Sequence, residues 1–370
     1  MAPSRPKSGK SDNPAKLLDD AETLLNVGKV EEAVALAENA LENTGAGGDF
    51  ELRALNFLGI LSIELGDVDE AKEYFEKAVK LDQDGTLEEK IGGGPEKFLF
   101  LAELSDEGGQ DSVKWFDLGA VALRKQIQAL ADNSSKTPEQ QASYEEKQEK
   151  LGGVLCAVAE VYMTDLSWEE DAEQRCEALI TEAMMVAPGS PETWQTVANV
   201  RISQERSDEA KEALKRSLEI WQDLPPEDPS VPAFPSRIAL ARLLLETDMM
   251  EEALTVLERL VTDDDESIEA WYLGGWGLYI AGEKLRAAQS SQNGASENED
   301  WKDTWRSARR WLAQCLKLYD IQEYEDERLG EHAIELVQSI NAEIGEPEEG
   351  EEDWDEESDD DDDQDEEMQG

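Results

Sequence analysis

The sequence predicts an all-α protein built as a solenoid of stacked helix pairs and followed by a disordered acidic tail. Two observations carry this prediction: helix–turn–helix patterns recur over residues 15–322, and acidic residues crowd the last 25 positions. A third is that 39% of the 370 residues are hydrophobic, which suffices to bury a core. This length fits two or three domains or one extended repeat array.

The clearest helix pair flanks the turn GDVDEA at residues 66–71. Gly66 is expected to end the first helix, because glycine tolerates the left-handed conformation that closes many helices. Gly59 and Ala71 would let the two backbones approach closely, and Phe75 would fill the space beside them. This segment therefore predicts two antiparallel helices in tight contact.

The same order of residues recurs, with interruptions, along most of the chain. Further copies are predicted at residues 17–40, 194–217, 240–260 and 271–315, with a looser pair at 150–188, an irregular helix from Trp115, and insertions at 84–112, 130–148 and 284–302. The order is aromatic, apolar, small, then alanine, large apolar, alanine, and it resembles the tetratricopeptide repeat. That resemblance implies a superhelix whose first helices line a concave groove.

The ends of the chain are predicted to differ from the repeats. Residues 1–14 are expected to be a disordered N-terminal segment, and residues 323–345 a capping helix. Residues 346–370 hold 17 Asp and Glu with no Lys or Arg. Such a block of like charge predicts a disordered tail, which serves either as an interaction segment or as a solubiliser.

The composition excludes several classes of function. There are 34 Lys and Arg against 88 Asp and Glu, a net charge of −54, so we expect no direct nucleic-acid binding, which requires basic side chains. No apolar run approaches the roughly 18 residues of a membrane span, and the N-terminus lacks a signal-peptide core. The three cysteines form no C-x-x-C pair. We therefore expect a cytoplasmic and nuclear protein that does not bind membranes.

The sequence offers little for catalysis. His332 is the only histidine and is predicted to lie on a polar helix face, while Cys156, Cys176 and Cys315 have the spacing of buried small hydrophobes. The carboxylates are too numerous for a catalytic pair to be selected among them. We expect no enzyme, no cofactor and no metal site.

Ten residues are predicted to face the groove and bind a partner. Tyr272, Trp276 and Tyr279 recur at i, i+4 and i+7 on a stripe distinct from the packing face. Either they contact a ligand or they pack against the insertion at 284–302. The same projection places seven further residues on the groove: Asn56, Ile60, Glu64, Glu160, Gln195, Asn199 and Glu246. Carboxylates and amides suit Arg and Lys side chains, and aromatic rings add cation–π contacts.

Nearly the whole chain resembles one group of tetratricopeptide proteins. The start SRPKSGKSDNPAK, the repeats, the closing helix EDERLGEHAIELVQSINAEIG and the tail EEDWDEESDDDDD together resemble the fungal acidic chaperones dedicated to large-subunit ribosomal protein four. The resemblance implies binding of a newly made, strongly basic ribosomal protein through a long extension, escort into the nucleus and release at the pre-ribosome. A nuclear import receptor is then a second expected partner.

Two other functions fit the same composition. An acidic histone chaperone would share the charge and the tail, and a scaffold subunit of a larger complex would use the charge only for solubility. A groove that binds the acidic C-termini of heat-shock chaperones would need Lys and Arg. The charge of −37 outside the tail argues against it.

Overall fold

The computed structural model describes residues 13–133, 135–291 and 300–347, so residues 1–12 and the tail from residue 348 onward lie outside it. The described residues form fifteen α-helices, one short 3-10 helix (Glu89–Ile91) and no strand, which confirms the all-α prediction. The helices are α1 (Pro14–Asn26), α2 (Val30–Thr44), α3 (Glu51–Glu64), α4 (Val68–Leu81), α5 (Glu96–Glu103), α6 (Gly109–Ala131), α7 (Pro138–Met163), α8 (Ala172–Val186), α9 (Pro191–Ser203), α10 (Ser207–Trp221), α11 (Phe234–Glu246), α12 (Met250–Asp263), α13 (Ile268–Ser291), α14 (Asp300–Gln322) and α15 (Glu327–Ile344). None of these helices has both the length and the apolar content to cross a bilayer.

The helices pack as successive pairs within two compact units, Met1–Ile220 and Trp221–Gly370. In the first unit α1 packs with α2, α3 with α4, α5 with α6 and α7 with α8, and α9 contacts both α7 and α8. In the second unit α11 packs with α12 and α13 with α14, and α15 contacts α14 and α13. The division of the chain at residues 322 and 345 into solenoid, capping helix and tail stays a prediction.

Small residues allow the close helix crossings that the sequence predicted. A Cβ atom on Gly59 would lie 2.6 Å from the ring of Phe75, and one on Gly275 would lie 2.6 Å from Leu312 Cγ. Gly66 has φ 81 and lies in the turn between α3 and α4, just after the end of α3. The α3–α4 pair therefore has the predicted geometry.

The three segments predicted to be insertions each contain helical residues. The segment 84–112 holds the whole of α5 and the start of α6. The segment 130–148 holds the beginning of α7, which a capping box between Thr137 and Gln140 starts, and 284–302 holds the end of α13. Only eight residues form α5, which is too few to show a helical period in the sequence.

A buried ion pair fixes the segment that joins α4 to α5. Lys97 Nζ lies 2.8 Å from Asp82 Oδ2, and both side chains are almost completely buried. Lys97 also donates to the carbonyl of Gly94 at 2.7 Å, and Asp82 accepts from the backbone N–H groups of Thr86 and Leu87. Burial favours the neutral acid, but the hydrogen bond and charge of Lys97 outweigh it and lower the pKa of Asp82.

We expect Asp82→Asn to destabilise the first unit by about 3–5 kcal/mol, because it leaves the buried Lys97 ammonium without its counter-charge. Asp84→Asn removes an exposed carboxylate two residues away and is the matched control. A carboxyl group whose pKa is lowered by folding stabilises the fold at pH values above its pKa in the unfolded chain. The difference in unfolding free energy between wild type and Asp82→Asn should therefore narrow below about pH 3.9. Denaturant unfolding checks both points, and an Asp82→Asn protein as stable as the control contradicts them.

Candidate functional site

The first helices of the pairs in unit Met1–Ile220 carry a surface of exposed and partly exposed residues, three of which are glutamates. Its residues alternate with buried ones on α3, α5, α7 and α9, so they lie opposite the packing contacts of those helices. We call this surface the first-helix face, and it comprises Ile60, Glu96, Phe100, Glu103, Glu160 and Asn199.

A cavity of about 340 Å³ lies at the N-terminal end of this face. Ile60, Glu96 and Phe100 line it, together with Glu22 and Arg53. The ring of Phe100 stacks on Phe75 with centroids 4.9 Å apart, which holds it beside the cavity. The cavity combines apolar side chains with carboxylates, of which Glu22 pairs with Arg53 and Glu96 pairs with Lys150, so a Lys or Arg of a ligand would join or replace these ion pairs.

The segment after the 3-10 helix covers part of α3. Asn56 Nδ2 donates to the carbonyl of Gly92 at 2.6 Å, so this predicted groove residue already has an intramolecular partner. Gly92 has φ 87, and a Cβ atom there would lie 2.6 Å from the backbone of Arg53. Only glycine allows the segment to approach α3 this closely.

Two carboxyl groups of the face combine exposure with a shifted pKa. Burial raises the pKa of Glu160, and a hydrogen bond with Thr196 opposes the shift without cancelling it. Burial and the neighbouring charge of Glu96 raise the pKa of Glu103. Both residues nevertheless have exposed surface. A carboxylate that is accessible yet surrounded by protein gains most from an approaching cation.

Not all of the predicted groove residues have the expected exposure. Glu64, Glu160 and Asn199 are exposed on their helices, as is Glu246 on α11 in the second unit. Gln195 is only 7% exposed, so its projection onto an open groove is wrong. The reason is that α9 packs against both α7 and α8, which leaves little of its surface free.

The aromatic stripe on α13 does not face an open groove. Tyr272, Trp276 and Tyr279 are half-buried and pack against a core that includes residues of α15. The Tyr272 hydroxyl lies 2.6 Å from Nδ1 of His332 on α15, and Tyr279 stacks on Trp305 of α14 at 5.3 Å. The projection of these three rings onto an open face is therefore wrong, as is the placement of His332 on a polar face, because α15 covers α13 as a further repeat would. Their contact with a partner stays a prediction.

Glu96, Phe100 and Glu103 are site residues that the sequence did not predict. All three lie on α5, inside a segment predicted to be an insertion. Their i, i+4 and i+7 spacing is the only signal in the sequence that could have placed them on one helix face.

Neither a metal-binding group nor an activated thiol is found among the described residues. No group of three or more His, Cys, Asp or Glu side chains is placed there to hold a metal ion. Cys156, Cys176 and Cys315 are buried, and burial raises the pKa of Cys315 to about 12, far above that of a reactive thiol.

Comparison with known proteins identifies the family. The tetratricopeptide repeat family matches residues 52–84. A probable assembly chaperone of rpl4 from Emericella nidulans is 44% identical over 362 residues, which covers 94% of this chain and 90% of that protein. The chain belongs to this family of assembly chaperones. A second family member, the probable assembly chaperone of rpl4 from Schizosaccharomyces pombe, is 31% identical over 339 residues and covers 91% of this chain and 93% of its own.

A solved structure agrees with this assignment. The Assembly Chaperone of RpL4 (Acl4) is 59% identical, superimposes with a TM-score of 0.71, and covers 75% of this chain and 99% of the solved one. The chain is therefore a tetratricopeptide chaperone and not an enzyme, as the sequence predicted.

The packing of α13 against α15 makes a prediction about stability. Trp276→Ala should destabilise the second unit by about 2 kcal/mol, because it removes a half-buried ring that packs between Tyr272 and the α15 core. Trp168→Ala is the matched control, since that ring is 77% exposed. Thermal unfolding of both variants is the measurement. If the two variants melt at the same temperature as wild type, Trp276 does not pack as described.

Proposed function

We propose that this protein binds newly made large-subunit ribosomal protein four and shields it until assembly. The observation that carries the proposal is the 44% identity to a probable assembly chaperone of rpl4 along 94% of the chain. The 59% identity to the solved Assembly Chaperone of RpL4 supports it. Identity of this extent over nine-tenths of both chains favours a shared partner.

The chemistry of the first-helix face supports a basic client. Glu103 and Glu160 are exposed and offer counter-charges to an Arg or Lys side chain. Glu96, which pairs with Lys150, lies with Ile60 and Phe100 at the N-terminal cavity, where the aliphatic stem of such a side chain finds an apolar surface. The net charge of −54 would raise the rate of encounter with a cationic protein. Covering the basic segment keeps it from binding stray RNA or aggregating.

We extend the proposal to the path of the client. The chaperone would hold an extended basic segment along an acidic concave groove, meet it in the cytoplasm, accompany it to the nucleus with an import receptor, and release it at the pre-ribosome. The shortage of basic side chains in the chaperone favours release of the client at the pre-ribosome. The basic client binds ribosomal RNA there, whereas the acidic chaperone has no affinity for it.

The experiment that tests the function is purification of the tagged chain from its own cells, followed by identification of the stoichiometric partner. We expect large-subunit ribosomal protein four. Calorimetry with purified protein four and with a histone H3–H4 preparation then compares the two basic clients. Recovery of histones, and tighter binding to them than to protein four, would replace this proposal with the histone chaperone.

A charge reversal at Glu160 tests the first-helix face. We expect Glu160→Lys to weaken binding of protein four about tenfold or more, because it sets a like charge against a basic segment. Glu258→Lys changes the net charge equally at an exposed position on α12 and is the control, with an expected effect below about twofold. Equal losses in both variants would show that only the total charge matters.

The raised pKa values of Glu103 and Glu160 predict a dependence of binding on pH. These carboxyl groups take up protons at a higher pH than ordinary Glu, so affinity for protein four should fall as the pH decreases from 7 to 5. In the double variant Glu103→Gln, Glu160→Gln, affinity at pH 7 should be lower and its change with pH smaller. A wild-type affinity that is constant over this range contradicts the prediction.

A further inference from the structure

A second cavity, of about 540 Å³, lies in the first unit where two of the segments that interrupt the repeats meet. The segment 84–112 contributes residues 85–90 to its lining, and the segment 130–148 contributes Ser143 and Lys147. The C-terminal half of α6 supplies the rest of the wall. Insertions in a repeat protein often lie on its binding face, so two of them converging on one cavity indicate a binding site.

Extensions of α6 and α7 create this space. These helices have 23 and 26 residues, whereas the four helices of the first two pairs have 13–15. An ion pair between Lys147 on α7 and Glu89 joins the extension to the 3-10 helix. Asp82 fixes the facing segment, because it accepts from the backbone N–H groups of Thr86 and Leu87. The walls of the cavity are therefore held in place by the fold itself.

Much of the lining is apolar. Its most buried residues are Gly85 and Ala122, which lie in close contact, since a Cβ atom on Gly85 would be 2.8 Å from Cβ of Ala122. Leu87, Ala129 and Leu130 also line the cavity, and Leu87 is 42% exposed. An aliphatic side chain that entered would remove apolar surface of these residues from water, which favours binding.

The charged groups of the lining favour an acidic ligand. Three lysines stand against two glutamates, a net charge of +1 within a chain of −54. Lys147 is paired with Glu89, but the exposed ammonium groups of Lys90 and Lys125 have no ion pair or side-chain hydrogen bond within the described residues. Glu88 is the other acidic residue of the lining. Two unpaired ammonium groups beside an apolar cavity can each bind a carboxylate.

Gln126 adds a hydrogen-bond acceptor. The side chain is partly buried, and its Oε1 is shielded from solvent and accepts no hydrogen bond from the part of the chain that the structure describes. A shielded acceptor without a donor is costly, so this oxygen favours a ligand that brings an N–H group. A peptide backbone carries such a group at every residue except proline.

We infer that this cavity binds a short acidic segment of a partner protein other than the basic client. One aliphatic side chain of the segment enters between Ala122 and Leu130, its flanking carboxylates pair with Lys90 and Lys125, and one of its backbone N–H groups donates to Gln126 Oε1. The protein can then join an acidic partner to its basic client. This site goes beyond the proposed function and does not depend on it.

The charge of the lining separates this occupant from two others. The basic client would bring its Arg and Lys side chains against Lys90 and Lys125. Residues 346–370 of this chain hold 17 Asp and Glu with no Lys or Arg, which far exceeds the net charge of +1 and would also face Glu88 and Glu89. A segment with two carboxylates around one aliphatic side chain matches the lining best.

The first arm of the test applies a peptide probe to the full chain. In protein with ¹³C-labelled leucine methyl groups, acetyl-Ala-Asp-Leu-Glu-Ala-amide should shift the Leu87 and Leu130 resonances saturably. Leu65 is 46% exposed, does not line the cavity and is the internal control. The same peptide with Asn and Gln replacing its acids, or with Ala replacing its Leu, should bind at least fivefold more weakly. The absence of a saturable shift, or equal affinity for either altered peptide, overturns the inference.

The second arm uses variants of equal charge. Lys90→Gln, Lys125→Gln should weaken binding of the acidic probe at least fivefold. Lys16→Gln, Lys317→Gln removes two exposed lysines that do not line the cavity and have no ion pair among the described residues, and it should change the affinity less than twofold. Because both double variants change the net charge equally, overall repulsion cannot distinguish them. Equal effects of the two would overturn the inference.

Two further measurements distinguish the other occupants. The basic peptide acetyl-Ala-Arg-Leu-Arg-Ala-amide should leave Leu87 and Leu130 unchanged. Trp354→Ala in the full chain, which removes the one aromatic ring of residues 346–370, should leave them unchanged as well. The same shift with the basic peptide assigns the cavity to the basic client, a shift in Trp354→Ala assigns it to the tail, and either result overturns the inference. None of these measurements uses protein four, so their outcome is independent of the proposed function.

Discussion

One constraint governs this fold: a pair of helices cannot bury its own apolar surface and must be covered by the next pair. Each first helix is consequently packed against its partner and its neighbours. Gln195 on α9 is buried for this reason, and the rings of Tyr272 and Tyr279 on α13 are covered by α15. What remains free on a first helix is a narrow stripe, about one residue per turn.

The same constraint explains the electrostatics of the first-helix face. A narrow stripe between packed helices places its side chains among protein atoms even when they touch solvent, so burial raises the pKa of Glu103 and Glu160. The folded protein thus carries charge at positions where solvation is incomplete. Under the proposed function, a basic client would supply the missing stabilisation, because its cations would lie against these carboxylates.

The sequence was sufficient to predict the helix pairs but not which side of each first helix stays open. The crossing of Gly59 and Phe75 follows from residue sizes at known spacing, and the structure confirms it. The stripe of Tyr272, Trp276 and Tyr279 was assigned to an open face from helical periodicity. Periodicity shows that these residues lie on a different face from the one that packs against the partner helix, but it does not show whether a later helix covers that face. The residues of α5 were missed because eight residues between glycine-rich and polar segments give no clear period.

The buried ion pair of Asp82 and Lys97 connects these local features to the shape of the site. The Asp82 carboxylate, paired with Lys97, binds the backbone that follows α4. This arrangement places Gly92 against α3, where Asn56 donates a hydrogen bond to the Gly92 carbonyl. The anchored segment occupies part of the first-helix face. The free part therefore includes the cavity beside Ile60 and Phe100 and the exposed carboxylates of Glu103 and Glu160. Acidic positions spaced along such a course match an extended basic chain better than a compact basic domain, because each can meet a successive side chain.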